Sequence, residues 1–214
     1  MNYSLRKKNT IVKYIIIHYT GMKCFQKAYL KLNNLNSDVS CHYLISQEGL
    51  IYNLLSQNFK AWHAGKSKWK SEKNLNESSI GIELENKGHE HGYSFFTNKQ
   101  YEALKNLIFF LNKNCFLIKY EILFHSDISP NRKTDPGEKF FFSKLKIDKF
   151  KKIKKIKKNY SLNQMLKIYG FHKDYIYNNK LKCIEAVKRC LNYRRINPTI
   201  SKKFIKDFNN LIFI

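Results

Sequence analysis

No stretch of this sequence approaches the roughly 20 uninterrupted apolar residues that a membrane-crossing helix requires. The apolar run near the start, within IVKYIII at 11–17, is about seven residues and ends at His18. It follows a basic segment, MNYSLRKKNT, but no small-residue cleavage site closes it, so a signal peptide is not expected. The chain is accordingly expected in the cytoplasm, with the periplasm or cell envelope as the alternative. Cysteines are few and scattered: Cys24, Cys41, Cys115, Cys183 and Cys190, an odd number with no CxxC pair. That pattern argues against a disulfide framework or a cysteine zinc finger and suits a reducing compartment. Arginine is also scarce, with 5 Arg against 35 Lys. Readers of nucleic acid rely on the bidentate guanidinium, so the net charge of +24 does not by itself imply such a partner. Glycine and proline are sparse while Asn and Ile abound, a profile that A+T-rich coding produces without selection. Attraction to an acidic polymer or a membrane surface is the other account of the charge.

What is present is ample core material: 43% apolar residues, with 16 Phe and 14 Tyr among 214. Disorder throughout is excluded on that basis. The length allows one large domain, or a medium domain with a small one.

Residues 11–20, IVKYIIIHYT, read as a buried strand with His18 near its C-terminal end, where open α/β sheets place their chemistry. Phe25, Ala28, Tyr29 and Leu32 recur at helical spacing within 22–35. CHYLISQEGLIYNLL (41–55) signals a hairpin around Glu48-Gly49. SSIGIELEN (78–86) alternates as a strand, with Ile80, Ile82 and Leu84 on one face and Gly81, Glu83 and Glu85 on the other. Thr97 and Gln100 form a capping box ahead of a helix of about 16 residues, and EILFHSD (121–127) is a short strand carrying His125. The loop 126–138 is dense in turn residues. In 144–158, nine Lys surround Leu145, Ile147, Phe150, Ile153 and Ile156, a pattern that predicts a basic amphipathic helix. Three short helices should follow: one capped by Ser161 and Gln164 and stopped by Gly170, one through Leu181–Leu191, and one opened by Ser201.

Seven histidines are present, with no HExxH pair. Two of them stand at strand ends, far apart in sequence, and an aspartate lies in the loop after the second. Zinc hydrolases commonly take three N or O ligands and leave one position open. From spacing alone, however, a packed core histidine is the commoner reading of such a residue.

The wording around these positions adds more. YIIIHYT, SCHYLIS, AWHAG, SIGIELEN and FHSDISPNRKTDPGEKF, in this order, resemble the AmpD-like N-acetylmuramoyl-L-alanine amidases from about residue 11 to 145. The resemblance implies an α/β (α+β) fold, a mixed central β-sheet flanked by helices, and the three short helices read above predict a small C-terminal helical bundle after it. It implies one catalytic Zn2+ held by His18, His125 and Asp135, with Glu83 as catalytic glutamate and Lys133 as catalytic lysine. Trp62 and His63, with Arg132, are expected to line the substrate cleft, core packing being the alternative for the first two. His42 is expected to be structural, and His89 and His91 to sit in a solvated loop.

Three segments follow from this reading: a catalytic domain at 1–145, a basic connecting segment at 146–158, and a helical domain at 159–214. The last weakly resembles a peptidoglycan-binding domain but lacks its FQ stretch and glycines. The implied activity is hydrolysis of the amide between N-acetylmuramic acid, its 1,6-anhydro form included, and L-alanine. The implied partners are peptidoglycan or soluble muropeptides, in cell-wall turnover or recycling, and no nucleic acid is expected. A non-catalytic muropeptide-binding protein is the alternative.

Overall fold

The structure, a computed structural model, describes residues 2–113, 120–149, 152–156 and 159–214. In chain order it runs β1 (Tyr3–Leu5), β2 (Tyr14–Tyr19), α1 (Phe25–Asn33), β3 (Tyr43–Ile45), β4 (Ile51–Asn53) and β5 (Phe59–Ala61). Next come β6 (Lys68–Trp69), β7 (Glu72–Lys73), β8 (Ser79–Leu84), α2 (Gly88–His91), α3 (Asn98–Lys113), β9 (Glu121–Phe124) and α4 (His125–Ile128). After a 3-10 turn at Phe142–Leu145 come α5 (Leu162–Tyr169), α6 (Lys173–Asn178), α7 (Lys180–Cys190) and α8 (Lys202–Ile212). No helix among the described residues is long and apolar enough to cross a membrane.

Five strands form the central sheet in the order β4-β3-β8-β2-β9, all parallel except the β4 edge. The middle of a parallel sheet is covered on both faces, which is why β2 reads as an unbroken apolar run. Ile15 and Ile17 point to the face covered by α3, where Ile80, Ile82, Ile122, Phe124, Leu104 and Leu107 complete a core. Tyr14, Ile16 and Leu123 point the other way, into a core shared with Trp69, Met165, Tyr169, Val187 and Phe208. The C-terminal helices thus close the sheet's second face. By the period of two, His18, Gly81 and Glu83 fall on that second face, at the C-terminal ends of the strands.

The two capping boxes form as read. Thr97 and Gln100 exchange bonds of 3.1 Å at the start of α3, and Ser161 and Gln164 exchange bonds of 2.9 and 3.3 Å at the start of α5. Two sequence expectations are corrected. Among the described residues of 144–158 there is no helix beyond the 3-10 turn, and Ile153 instead bridges Phe213 as extended chain. Repulsion between lysines one turn apart works against a helix here, and the described apolar residues share no single stripe: Leu145 and Ile147 pack on the core under α3, whereas Ile156 lies 88% exposed. Residues 150, 151, 157 and 158 lie outside the described residues. The C-terminal part also holds four helices instead of three. The extra one, α6, is capped by His172, whose Nδ1 accepts the Asp174 N–H at 3.1 Å.

Candidate metal centre and cleft

Strand register brings the first residues together. On β2, His18 lies opposite Glu83 of β8, and Ile17 lies opposite Phe124 of β9, so His125 begins one residue beyond the pairing. The chain turns sharply there because the Asp127 carboxylate accepts the Phe124 N–H at 2.8 Å, starting α4 directly on the strand end. His125 therefore opens a helix and does not sit within a strand. The following loop folds back, with Ser126 N–H donating to the Asp135 carbonyl at 3.0 Å, and this delivers the Asp135 side chain. Residues Asp135 and Pro136 are joined by a cis peptide.

The result is a nearly equilateral triangle. His18 Nδ1, His125 Nδ1 and Asp135 Oδ2 are each 3.0 Å from the other two. Each neutral imidazole nitrogen carries at most one proton, which can point at only one neighbour. Three mutual hydrogen bonds are therefore impossible, and the triangle is better matched to a shared cation. All three residues are buried. The outward nitrogens are engaged as well: His18 Nε2 meets His63 Nδ1 at 3.0 Å, and His125 Nε2 meets the Ala64 carbonyl at 3.2 Å.

Electrostatics are uneven across the site. Burial, reinforced by the neighbouring His125, pushes the His18 imidazole down to about 4, although Asp135 pulls the other way. Burial alone would raise the Asp135 carboxyl, but His125 and His18 hold it well below the usual carboxylate range. Glu83 goes in the opposite direction. Burial raises its carboxyl well above the ordinary value, Asp135 adds to this, and Lys133 opposes it. Its Oε2 is buried with no hydrogen-bond partner among the described residues. An unsatisfied buried polar atom is costly, and its survival in a cleft points to a role that folding does not explain.

These groups line a cleft of about 350 Å³ that His63, Arg132 and Lys133 also border. Arg132 is partly committed to structure, its Nη2 donating to the carbonyls of Ala64 at 3.0 Å and Lys66 at 3.3 Å. Trp62 is not part of the lining; its indole N–H donates to Ser4 at 3.3 Å. His42 packs behind β8, with Nδ1 accepting the Gly81 N–H at 3.0 Å.

Sequence reasoning missed one wall of the cleft. The Tyr19 hydroxyl bridges His89 Nδ1 at 2.9 Å and Thr134 Oγ1 at 3.3 Å, and His89 stacks on Tyr93 with 4.3 Å between ring centroids. His89 and His91 are exposed, as expected, but they lie on a short helix in place of a loop, and His89 also lines the cleft. Nothing local marked it, because its partners come from segments remote in sequence.

The chain is similar in sequence and fold to known proteins. The family described as N-acetylmuramoyl-L-alanine amidase matches residues 7–138. N-acetylmuramoyl-L-alanine amidase AmiD of Escherichia coli is 33% identical over 146 residues, covering 63% of this chain and 52% of AmiD. The 1,6-anhydro-N-acetylmuramyl-L-alanine amidase AmpD of Haemophilus influenzae is 41% identical over 103 residues, covering 48% of this chain and 54% of that protein. The matches thus span about half the length of these two relatives. A solved complex of E. coli AmiD with the substrate anhydro-N-acetylmuramic acid-L-Ala-D-gamma-Glu-L-Lys superposes with a TM-score of 0.75 at 25% identity, covering 97% of this chain and 91% of that one. The superposition therefore takes in the C-terminal helices along with the sheet. With the family matched over more than half its length, the chain belongs to the N-acetylmuramoyl-L-alanine amidase family.

Proposed function

We propose that this protein is a zinc-dependent amidase that hydrolyses the bond between the lactyl group of N-acetylmuramic acid and L-alanine. One observation carries the reading: the His18–His125–Asp135 triangle shares its cleft with Glu83, whose Oε2 is buried with no hydrogen-bond partner among the described residues. Two nitrogens and one carboxylate oxygen form the donor set typical of an open hydrolytic zinc site. When bound, the metal supplies Lewis acidity at the scissile carbonyl and lowers the pKa of water towards about 7.

The remaining chemistry belongs to the chain's own side chains. Glu83 takes the proton of the attacking water and passes it to the leaving amine of L-alanine. Its raised proton affinity suits a group that must hold that proton between the two steps. The Lys133 ammonium, on the same cleft, stabilises the oxyanion of the tetrahedral intermediate. Tyr19 and His89 form the wall along which the substrate lies.

Anhydro-muropeptides are the substrate class we favour. The names of AmpD from H. influenzae and of the AmiD complex both carry the 1,6-anhydro sugar or its peptide conjugate. The test is incubation with anhydro-N-acetylmuramyl-L-alanyl peptide, followed by mass analysis. Free sugar and a peptide beginning with L-alanine are expected. An intact conjugate, or cleavage at any other bond, contradicts the assignment. Parallel incubation with intact sacculi measures whether polymeric wall is also cut.

A further inference from the structure

The segment AWHAG places two adjacent residues against the two histidines of the triangle. His63 meets His18 through its side chain, and Ala64 meets His125 through its carbonyl. The pair is fixed from below, since Asn76 Oδ1 accepts both backbone N–H groups, at 3.1 Å from His63 and 2.7 Å from Ala64.

The direction of each bond follows from its far end. The Ser79 hydroxyl donates its single proton to the Leu75 carbonyl at 2.5 Å. Towards His63 Nε2, 3.3 Å away, Ser79 Oγ can then only accept, so that nitrogen carries the His63 proton. His63 Nδ1 is left with a lone pair, and His18 Nε2, 3.0 Å away, must donate to it. The His18 proton is thereby fixed on Nε2, and its Nδ1 presents a lone pair to the triangle. His125 Nε2 has the Ala64 carbonyl, an acceptor, at 3.2 Å and the Arg132 guanidinium, a donor, at 3.5 Å, so the relay fixes the proton of His18 alone. Both ring nitrogens of His63 are engaged in this relay, so neither is free for substrate. Gly81 makes room for the ring: a Cβ there would lie 2.4 Å from His63 Cγ.

We propose that His63 is a positioning residue for the metal centre, accepting the His18 Nε2–H so that the His18 Nδ1 lone pair is aimed at the cation. The inference rests on the zinc reading above, and it gives His63 a task other than contact with substrate. Partners of this kind typically govern metal affinity 10–100-fold.

The test is zinc affinity of the full chain, measured by competition with a chromogenic chelator, for wild type, His63→Leu and His63→Asn. His63→Leu should weaken zinc binding about 10–100-fold, since the His18 Nε2–H then has no acceptor. His63→Asn should recover most of the loss, because its side-chain oxygen can occupy the place of Nδ1. A residue that merely fills space would show the reverse ranking. Unchanged affinity in His63→Leu, or no recovery in His63→Asn, overturns the proposal while leaving the zinc site standing. Wild type that binds no zinc overturns the site reading itself, and the proposal with it. Should His63→Leu fail to fold, ¹⁵N NMR of the wild-type imidazoles decides. Protons on Nε2 of both His18 and His63 support the relay, and a proton on Nδ1 of either one refutes it.

Discussion

Two buried polar clusters meet at the four-residue helix α4, and they differ in how completely they are satisfied. His125 faces the cleft, where three lone-pair atoms converge at 3.0 Å and Glu83 Oε2 has no partner among the described residues. Two residues on, Asp127 faces inward to a complete network. Its Oδ2 accepts from Lys149 at 2.6 Å and from the Phe124 N–H, and its Oδ1 accepts from the Tyr169 hydroxyl at 2.8 Å. The three protons of the Lys149 ammonium have three acceptors: Asp127, Tyr169 at 2.7 Å and Cys190 Sγ at 3.4 Å. The contrast separates function from architecture. Of these two clusters, the one satisfied within the protein holds the fold, and the other converges on an open cleft; the convergence marks the site, since Trp69 Nε1, Ser126 Oγ and Arg189 Nε are also buried without a partner among the described residues.

The inward cluster also ties the C-terminal helices to the turn that carries His125, since Tyr169 belongs to α5 and Cys190 to α7. Substitutions on the two sides should therefore separate activity from stability. The largest effect is expected for Glu83→Gln. Loss of the proposed general acid–base should lower kcat by about 10²–10⁴-fold. The melting temperature should stay level or rise, because a carboxylate with one buried oxygen lacking a partner among the described residues has gone; a clear fall in melting temperature would contradict the contrast. Lys149→Met should do the opposite on denaturant unfolding. It strands a buried Asp127 charge, at a cost of about 3–5 kcal/mol. A double substitution with Asp127→Asn should recover part of that loss.

Lys133→Met should lower kcat by about 10²–10³-fold through loss of the proposed oxyanion partner, with the unfolding midpoint unchanged. The smallest effect concerns acid stability away from both clusters. Burial alone would raise the Glu72 carboxyl, but bonds from Lys13, Ser78 and Tyr14 hold it below its ordinary 4.5. A carboxyl depressed by folding contributes stability above its unfolded value and loses it as pH falls through the folded one. Glu72→Gln should therefore narrow the stability difference between pH 7 and acid, and an unaltered pH profile would remove Glu72 from the account.

Much of the sheet was legible because its signals are local. The unbroken β2 run, the alternation of β8 and the Thr97–Gln100 box each specify structure within a few residues. The motifs named His18, Glu83, His125 and Asp135, and the structure brings those four to one cleft. Other features depended on distant partners and left no local trace. Lys149 reads as one more solvated lysine in a basic run, yet it is buried against groups 20 to 41 residues away. The same run lacks its helix because its apolar residues find separate neighbours, Ile153 against Phe213 among them. Trp62 and His63, adjacent in AWHAG, part company for a similar reason. One side chain turns to Ser4 and the other slides over Gly81 to His18.

The central claim is that the triangle holds a metal on which amide hydrolysis depends. Its most direct test is turnover of anhydro-N-acetylmuramyl-L-alanyl peptide by protein stripped with a chelator and then titrated with zinc. The account predicts no turnover in the stripped protein and full recovery at one zinc per chain, with His125→Ala unable to recover. Full turnover by the stripped protein would contradict it.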